Sequence, residues 1–112
     1  MIAERLSFVG LDQETQQSLF RLKPVVLAHL PAAMDRFYRQ VRAFEHPRSF
    51  FADEGRIEAA RSLQIAHWDK ITNAEFDASY VDAVSKVGET HARIGLEPRW
   101  YVGGYAVLLD AL

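Results

Sequence analysis

The sequence contains no cysteine, which excludes disulfide bonds and thiolate ligation of a metal within this chain. It has no apolar run that approaches the roughly 20 residues needed to span a membrane. The first residues also lack the apolar segment of a signal peptide. These features predict a cytoplasmic protein that does not insert into a membrane.

Charge of neither sign predominates in the sequence. The chain carries 13 Lys and Arg against 15 Asp and Glu, for a formal net charge of −2. This balance gives no general attraction to nucleic acid, and we predict no nucleic-acid partner.

Apolar residues are plentiful: 49% of the 112 residues are hydrophobic, with seven Phe, four Tyr and two Trp. That composition suits one domain whose core is apolar or encloses a flat ligand.

Several motifs of catalysis and phosphate binding are missing. The chain has no glycine-rich phosphate loop, no Gly-x-Ser-x-Gly nucleophile motif and no His-Glu-x-x-His zinc motif. Its histidines are His29, His46, His67 and His91. None of them has the spacing of a zinc hydrolase, and no pair of carboxylates is singled out as a general acid and base.

Strand patterns are missing too, since no segment alternates convincingly with period two. Apolar residues recur at steps of three and four, which predicts an all-α domain.

Segment 1–10 should pack its apolar side chains on the body. Ser49 to Asp53 should form a corner with one helical turn, and its aromatic rings should point toward the core. Pro24 should kink or divide the first helix, and Pro31 should start a second one. The predicted helices run from Asp12 to Leu30, Pro31 to Phe44, Asp53 to Asn73, Asp77 to Ile94 and Pro98 onward.

The helix from Asp77 to Ile94 and its C-terminal junction carry the most informative pattern. His91 lies on the apolar stripe, Gly95 can supply a left-handed C-cap, and Pro98 begins the next helix. Such a junction can present one imidazole to a flat cofactor. The same histidine can instead be a core residue bonded to a carbonyl, and Tyr38 can likewise be an ordinary core tyrosine. The aromatic residues that follow the junction are Trp100, Tyr101 and Tyr105.

The segment from His91 to Tyr105 reads His-Ala-Arg-Ile-Gly-Leu-Glu-Pro-Arg-Trp-Tyr-Val-Gly-Gly-Tyr. This long motif resembles the signature of the globin-coupled sensors, bacterial haem sensors related to protoglobins. The resemblance covers nearly the whole chain, because four upstream segments resemble family landmarks in the family order. These segments are Leu22–Pro24, Asp35–Tyr38, Phe50–Asp53 and His67–Trp68.

The resemblance implies a globin fold of the sensor type, without a D helix, in a single domain over residues 1–112. The predicted helices become A, B, E, F and G in chain order, with the C region near Phe50. The helix from Pro98 is still apolar and uncapped at Leu112, so we expect the chain to stop within or after G, without the H helix. Because family members pair largely through G and H, the resemblance implies a homodimer for the full-length protein.

The resemblance also implies a site for haem b. His91 would be the proximal iron ligand, and Tyr38 the distal donor of a hydrogen bond to O2. Because Leu63 lies where some members carry a polar residue, this chain would depend mainly on Tyr38. His67 would contact a propionate at the haem periphery or make a buried hydrogen bond, with distal ligation as the alternative. The other residues expected around the haem are Phe37, Phe51, Val87, Gly88, Trp100 and Tyr101.

The implied function is a gas sensor, chiefly for O2 with CO and NO as further ligands. It would pass a conformational signal to a C-terminal output domain, and the chain itself would not be an enzyme. Two alternatives stay open: a haem-free globin-like interaction module with His91 in its core, and a haem enzyme of the peroxidase or dioxygenase kind. Ordinary helix packing would explain the presence of Gly88, Trp100 and Tyr101 at these positions equally well, without any contact to haem.

Overall fold

The computed structural model describes residues 2–112 and is helical wherever it is regular. The prediction of an all-α fold is confirmed, and no strand occurs within this described range. No helix between residues 2 and 112 combines the length and apolar character needed to cross a membrane. In chain order the helices are α1 (Ile2–Phe8), α2 (Gln13–Ala43), α3 (Glu45–Arg48), α4 (Glu54–Thr72), α5 (Ala78–Ile94) and α6 (Pro98–Ala111).

Helix α2 is a single element of 31 residues that contains both Pro24 and Pro31. The prediction that Pro31 starts a separate helix is therefore wrong, and Pro24 does not divide the chain either. A proline inside a helix removes one backbone hydrogen bond and costs about 3 kcal/mol. Both rings lie on the exposed side of α2, while Leu30 and Met34 on the other side are buried. Burial of Leu30 before Pro31 and of Met34 after it offsets the free-energy cost of the missing backbone hydrogen bond.

The prediction that the N-terminal segment packs its apolar side chains on the body is wrong for Phe8 and Val9, whereas Leu6 is half-buried. Residues 2–8 form α1, in which no residue is buried, and the Phe8 side chain is 91% exposed. Val9 is exposed as well. Gly10 follows with φ +77°, a left-handed conformation that glycine adopts without strain.

The corner between α2 and α4 forms its helical turn earlier than predicted. The turn is α3, and Ser49 follows as its C-cap instead of starting a turn. Pro47 lies in the first turn of α3, where a missing backbone N–H costs no hydrogen bond. The inward direction of the rings is confirmed for Phe51, which packs on the core.

The predicted helix starts at Asp12, Asp53 and Asp77 coincide with the N-caps of α2, α4 and α5. Asp12, Asp53 and Asp77 each accept a hydrogen bond from the backbone N–H three residues later, at 2.8, 2.9 and 3.0 Å. Gly95 caps α5 with φ 76°, and Pro98 is the first residue of α6. Each of these signals acts within one turn of the chain, which explains why the sequence alone locates them.

The core lies where α4 and α6 pack along the C-terminal half of α2. At Gly104, α6 approaches α2 so closely that a Cβ atom would lie 3.0 Å from Cε2 of Phe37. Helix α5, by contrast, has no buried residue. The helix with the predicted iron ligand therefore contributes no buried residue to the core. The buried core residues are Leu30, Ala33, Met34, Tyr38, Ile57 and Leu108.

Candidate functional site

Helix α5 presents an exposed apolar stripe that leads to His91. Val84 and Val87 are both exposed, although the helix belongs to a folded domain. Gly88 shares this face, and a Cβ atom there would meet nothing within 4 Å. Val84, Val87 and Gly88 therefore form an exposed apolar stripe on α5. His91, at the end of the stripe, is half-buried.

The His91 ring stacks on Tyr101 of α6, with ring centroids 5.2 Å apart and planes 15° from parallel. The Gly95 turn makes this contact feasible because it ends α5 one turn after His91 and redirects the chain into α6. Burial lowers the pKa of His91 below its ordinary value. The imidazole is therefore neutral at pH 7 and has a nitrogen lone pair for a metal.

A second group of predicted residues surrounds Tyr38. Tyr38 is 3% exposed, and its ring meets Phe37 edge-on at 4.9 Å and Phe51 edge-on at 6.1 Å. Burial raises the pKa of Tyr38 well above its usual value, partly opposed by the charge of Arg61. The hydroxyl therefore keeps its proton and acts as a hydrogen-bond donor. The structure thus brings Phe37, Tyr38 and Phe51 together.

The Tyr38 hydroxyl donates its hydrogen bond to Oε1 of Gln64 on α4. Gln64 was not among the predicted site residues, although it shares the inward stripe of its helix. Leu63, the α4 residue predicted to lie on the distal side of the haem, is instead 72% exposed. A stripe indicates the face of a helix but not which of two adjacent residues meets a partner from another helix.

His67 connects α4 to α5 by stacking on Tyr80, with ring centroids 6.4 Å apart and planes 11° from parallel. Burial, with a smaller contribution from the charge of Lys70, lowers the pKa of His67. Leu63 lies one turn before His67, and Val84 lies one turn after Tyr80. Helical spacing therefore places both apolar side chains on the same sides of their helices as the His67–Tyr80 contact.

Trp100 takes a different position from its neighbour Tyr101. Its ring centroid lies 4.9 Å from that of His46, beside α3. The indole Nε1 is buried and has no hydrogen-bond partner within residues 2–112. Trp100 and Tyr101 therefore serve two separate contacts of α6, one with the α3 corner and one with α5.

The family model described as Protoglobin matches residues 1–112 of this chain. The chain belongs to the protoglobin family. The predicted relationship to the globin-coupled sensors and the predicted globin fold are thereby confirmed. The heme-based aerotactic transducer HemAT of Halobacterium salinarum is 31% identical over 116 residues, covering 99% of this chain. This protoglobin chain spans about a quarter of that relative's length, 24%. No solved structure matches the chain.

One cavity of the protoglobin domain lies away from the predicted haem residues. It is an open groove of about 510 Å³ between the start of α2 and the α4–α5 loop. Its lining includes Gln13, Gln17 and Asn73, but none of the residues predicted to contact haem. No cluster of three or more His, Asp or Glu suited to a metal ion occurs among the described residues. The predicted site therefore consists of the His91 imidazole and the exposed apolar side chains of Leu63, Val84 and Val87 on α4 and α5.

The two stacked histidines predict that acid destabilises this protoglobin domain. His67 and His91 have lowered pKa values when folded, so the unfolded chain binds more protons below its ordinary histidine pKa of about 6.5. The free energy of unfolding should be highest above that pH and decrease as the pH falls through the interval down to the lowered values. Urea titrations between pH 5 and 8 measure the slope. His67→Gln and His91→Gln should each reduce it, and an unchanged slope in both variants would contradict the assignment.

Proposed function

We propose that this protoglobin domain binds haem b through His91 and senses O2 reversibly, with CO and NO as further ligands. The observation that carries the proposal is the neutral, half-buried imidazole of His91 at the end of an exposed apolar stripe. The relative from Halobacterium salinarum, described as a heme-based transducer, supports the same assignment.

The residues present fit a haem group. A haem site needs an axial nitrogen ligand and apolar walls for the porphyrin. His91 offers the nitrogen, and the exposed side chains of Leu63 and Val87 offer apolar surface from two helices. Gly88 leaves the surface one turn before His91 open to close approach. Bound haem would supply an iron atom at which O2, CO or NO can bind.

The distal side would be shaped by Tyr38. Phe37 and Phe51 hold its ring edge-on, so its hydroxyl has a fixed position inside the domain. The protonated hydroxyl can donate a hydrogen bond to O2. CO is a poorer acceptor and would gain less from the same donor. Tyr38 is 3% exposed, and a hydrogen bond made in such a buried place is stronger than one in water.

The signal would leave the site through α6. The stack of His91 on Tyr101 joins the proposed ligand to that helix, and α6 packs against α2 at Gly104. A shift of His91 would thus displace a helix that is part of the core. We propose that α6 transmits this change to a C-terminal output domain and to a second copy of the cytoplasmic full-length protein. The chain itself is then a sensor and not an enzyme.

Haem incorporation tests the proposal directly. The protein purified with haem available should show a Soret band and bind O2 reversibly. Absence of a Soret band in the wild-type protein would overturn the proposal and favour a haem-free interaction module. Rapid turnover with a reductant in place of stable, reversible O2 binding would favour a haem enzyme.

Tyr38→Phe should weaken O2 binding by about two- to tenfold, the range of one net hydrogen bond, and change CO binding less. The variant keeps the ring that packs against Phe37 and Phe51, so the fold should be retained. Spectroscopic titration of the haem-loaded protein with each gas gives the two affinities. Tyr105→Phe, the same substitution at an exposed residue, is the matched control. Equal O2 affinity in wild type and Tyr38→Phe would remove Tyr38 from the mechanism.

A further inference from the structure

The Tyr38 hydroxyl is already engaged within the protein. A phenol has one hydrogen to donate, and here it goes to the side-chain carbonyl of Gln64. The two residues come from α2 and α4, which pack along each other in the core. Any other acceptor that takes this hydrogen must therefore displace Gln64.

The surroundings of Tyr38 leave little else to adjust. Its ring is buried and bounded edge-on by Phe37 and Phe51, so the oxygen stays in place. What can change is the direction of the hydroxyl hydrogen and the conformation of the half-buried Gln64 side chain. An exchange of hydrogen-bond partner costs less than a movement of packed rings.

Neighbouring side chains do not take the place of Gln64. Arg61, one turn earlier on α4, donates from Nε to Asp35 at 3.0 Å and from Nη2 to the Pro31 carbonyl at 3.3 Å. Leu63 has no hydrogen-bonding group. Within residues 2–112, Gln64 is the hydrogen-bond partner of the Tyr38 hydroxyl.

We propose that Gln64 competes with O2 for the hydroxyl hydrogen of Tyr38, and thereby lowers O2 affinity relative to CO affinity. Gln64 is a positioning residue in this scheme, because it acts through Tyr38. The inference rests on the proposed haem site. In the ligand-free domain the hydrogen points to Gln64, and O2 has to replace that bond before it gains its own.

Removing the competitor tests the inference. Gln64→Leu and Gln64→Met lack the carbonyl acceptor but keep an apolar side chain of similar size. Each should raise O2 affinity by about two- to tenfold, the range of one net hydrogen bond, with a smaller change for CO. Gln40→Leu, the same substitution at an exposed residue of α2, should leave both affinities unchanged. Unchanged or lower O2 affinity in the Leu and Met variants would overturn the inference.

A second measurement does not depend on gas binding. Urea unfolding of the protein without added haem gives the stabilities of Tyr38→Phe, Gln64→Leu and the double variant. If the two side chains are bonded to each other, the double variant loses less stability than the two single losses added together. Strictly additive losses would overturn the pairing.

The two levels of failure can be told apart. Without a Soret band in wild type, the proposed function fails and the competition fails with it, whatever the unfolding experiment gives. If wild type binds haem and O2 but the Gln64 variants bind O2 as wild type does, only the competition fails. In the Tyr38→Phe background, Gln64→Leu should have no effect on O2 affinity, because no hydrogen is left to compete for.

Discussion

His91→Ala should abolish stable haem binding. The substitution removes the proposed nitrogen ligand, while the surrounding apolar faces of Leu63 and Val87 remain. Loss of a residue that only supports a metal ligand typically costs ten- to a hundredfold in affinity. Loss of the ligand itself should therefore exceed roughly a hundredfold. Titration of the haem-free protein with haem, followed at the Soret band, measures this change.

Two controls separate ligation from structural damage in His91→Ala. His29→Ala, at an exposed histidine of α2, should bind haem as wild type does. Added imidazole should restore the Soret band of His91→Ala, because it returns the missing nitrogen without repairing any helix contact. A band that persists unchanged in His91→Ala without imidazole would exclude His91 as the ligand.

Leu30→Ala should destabilise the domain by about 2–5 kcal/mol. Leu30 is 0% exposed and lies in the core beside Ala33 and Met34. The substitution loses the transfer free energy of the removed atoms and leaves a cavity that α2, packed against α4 and α6, cannot fill. Since small domains are stable by only about 5–15 kcal/mol, this is a large fraction of the total. Urea or thermal unfolding measures it.

Leu22→Ala provides the matched comparison on the same helix. Leu22 is 54% exposed, so its truncation removes little buried surface and should cost about 0.5 kcal/mol or less. The large difference between two identical substitutions tests which side of α2 forms the core. Similar losses at Leu30 and Leu22 would contradict the packing described for this helix.

Much of the helix organisation could be predicted because its signals are local. Asp53 bonds the N–H of Arg56 within the same turn, and Gly95 has the left-handed conformation expected of a C-cap. Such interactions depend on the few residues that surround them. The resemblance to globin-coupled sensors then led to the family, which the match over residues 1–112 confirms.

The features that could not be predicted depend on tertiary packing. Pro31 is a valid helix-start signal, but burial of Leu30 and Met34 on either side keeps α2 continuous. Gln64 is half-buried on α4, yet its contact with Tyr38 joins residues 26 positions apart. Which residue of a face meets a given partner depends on the angle and offset at which two helices cross. Periodicity in one sequence does not contain that information.

The close approach of α6 to α2 at Gly104 would allow a protein bound to α6 to change the gas affinity of the proposed sensor. Because Gly104 has no side chain, a movement of α6 toward α2 would press its backbone against the Phe37 ring, which meets Tyr38 at 4.9 Å. Coupling between two binding events is reciprocal in free energy. A protein that holds α6 in one position would therefore change gas affinity by the same factor by which the gas changes that protein's binding. Under the proposed function, an output domain joined to α6 would then set the oxygen concentration at which the domain responds.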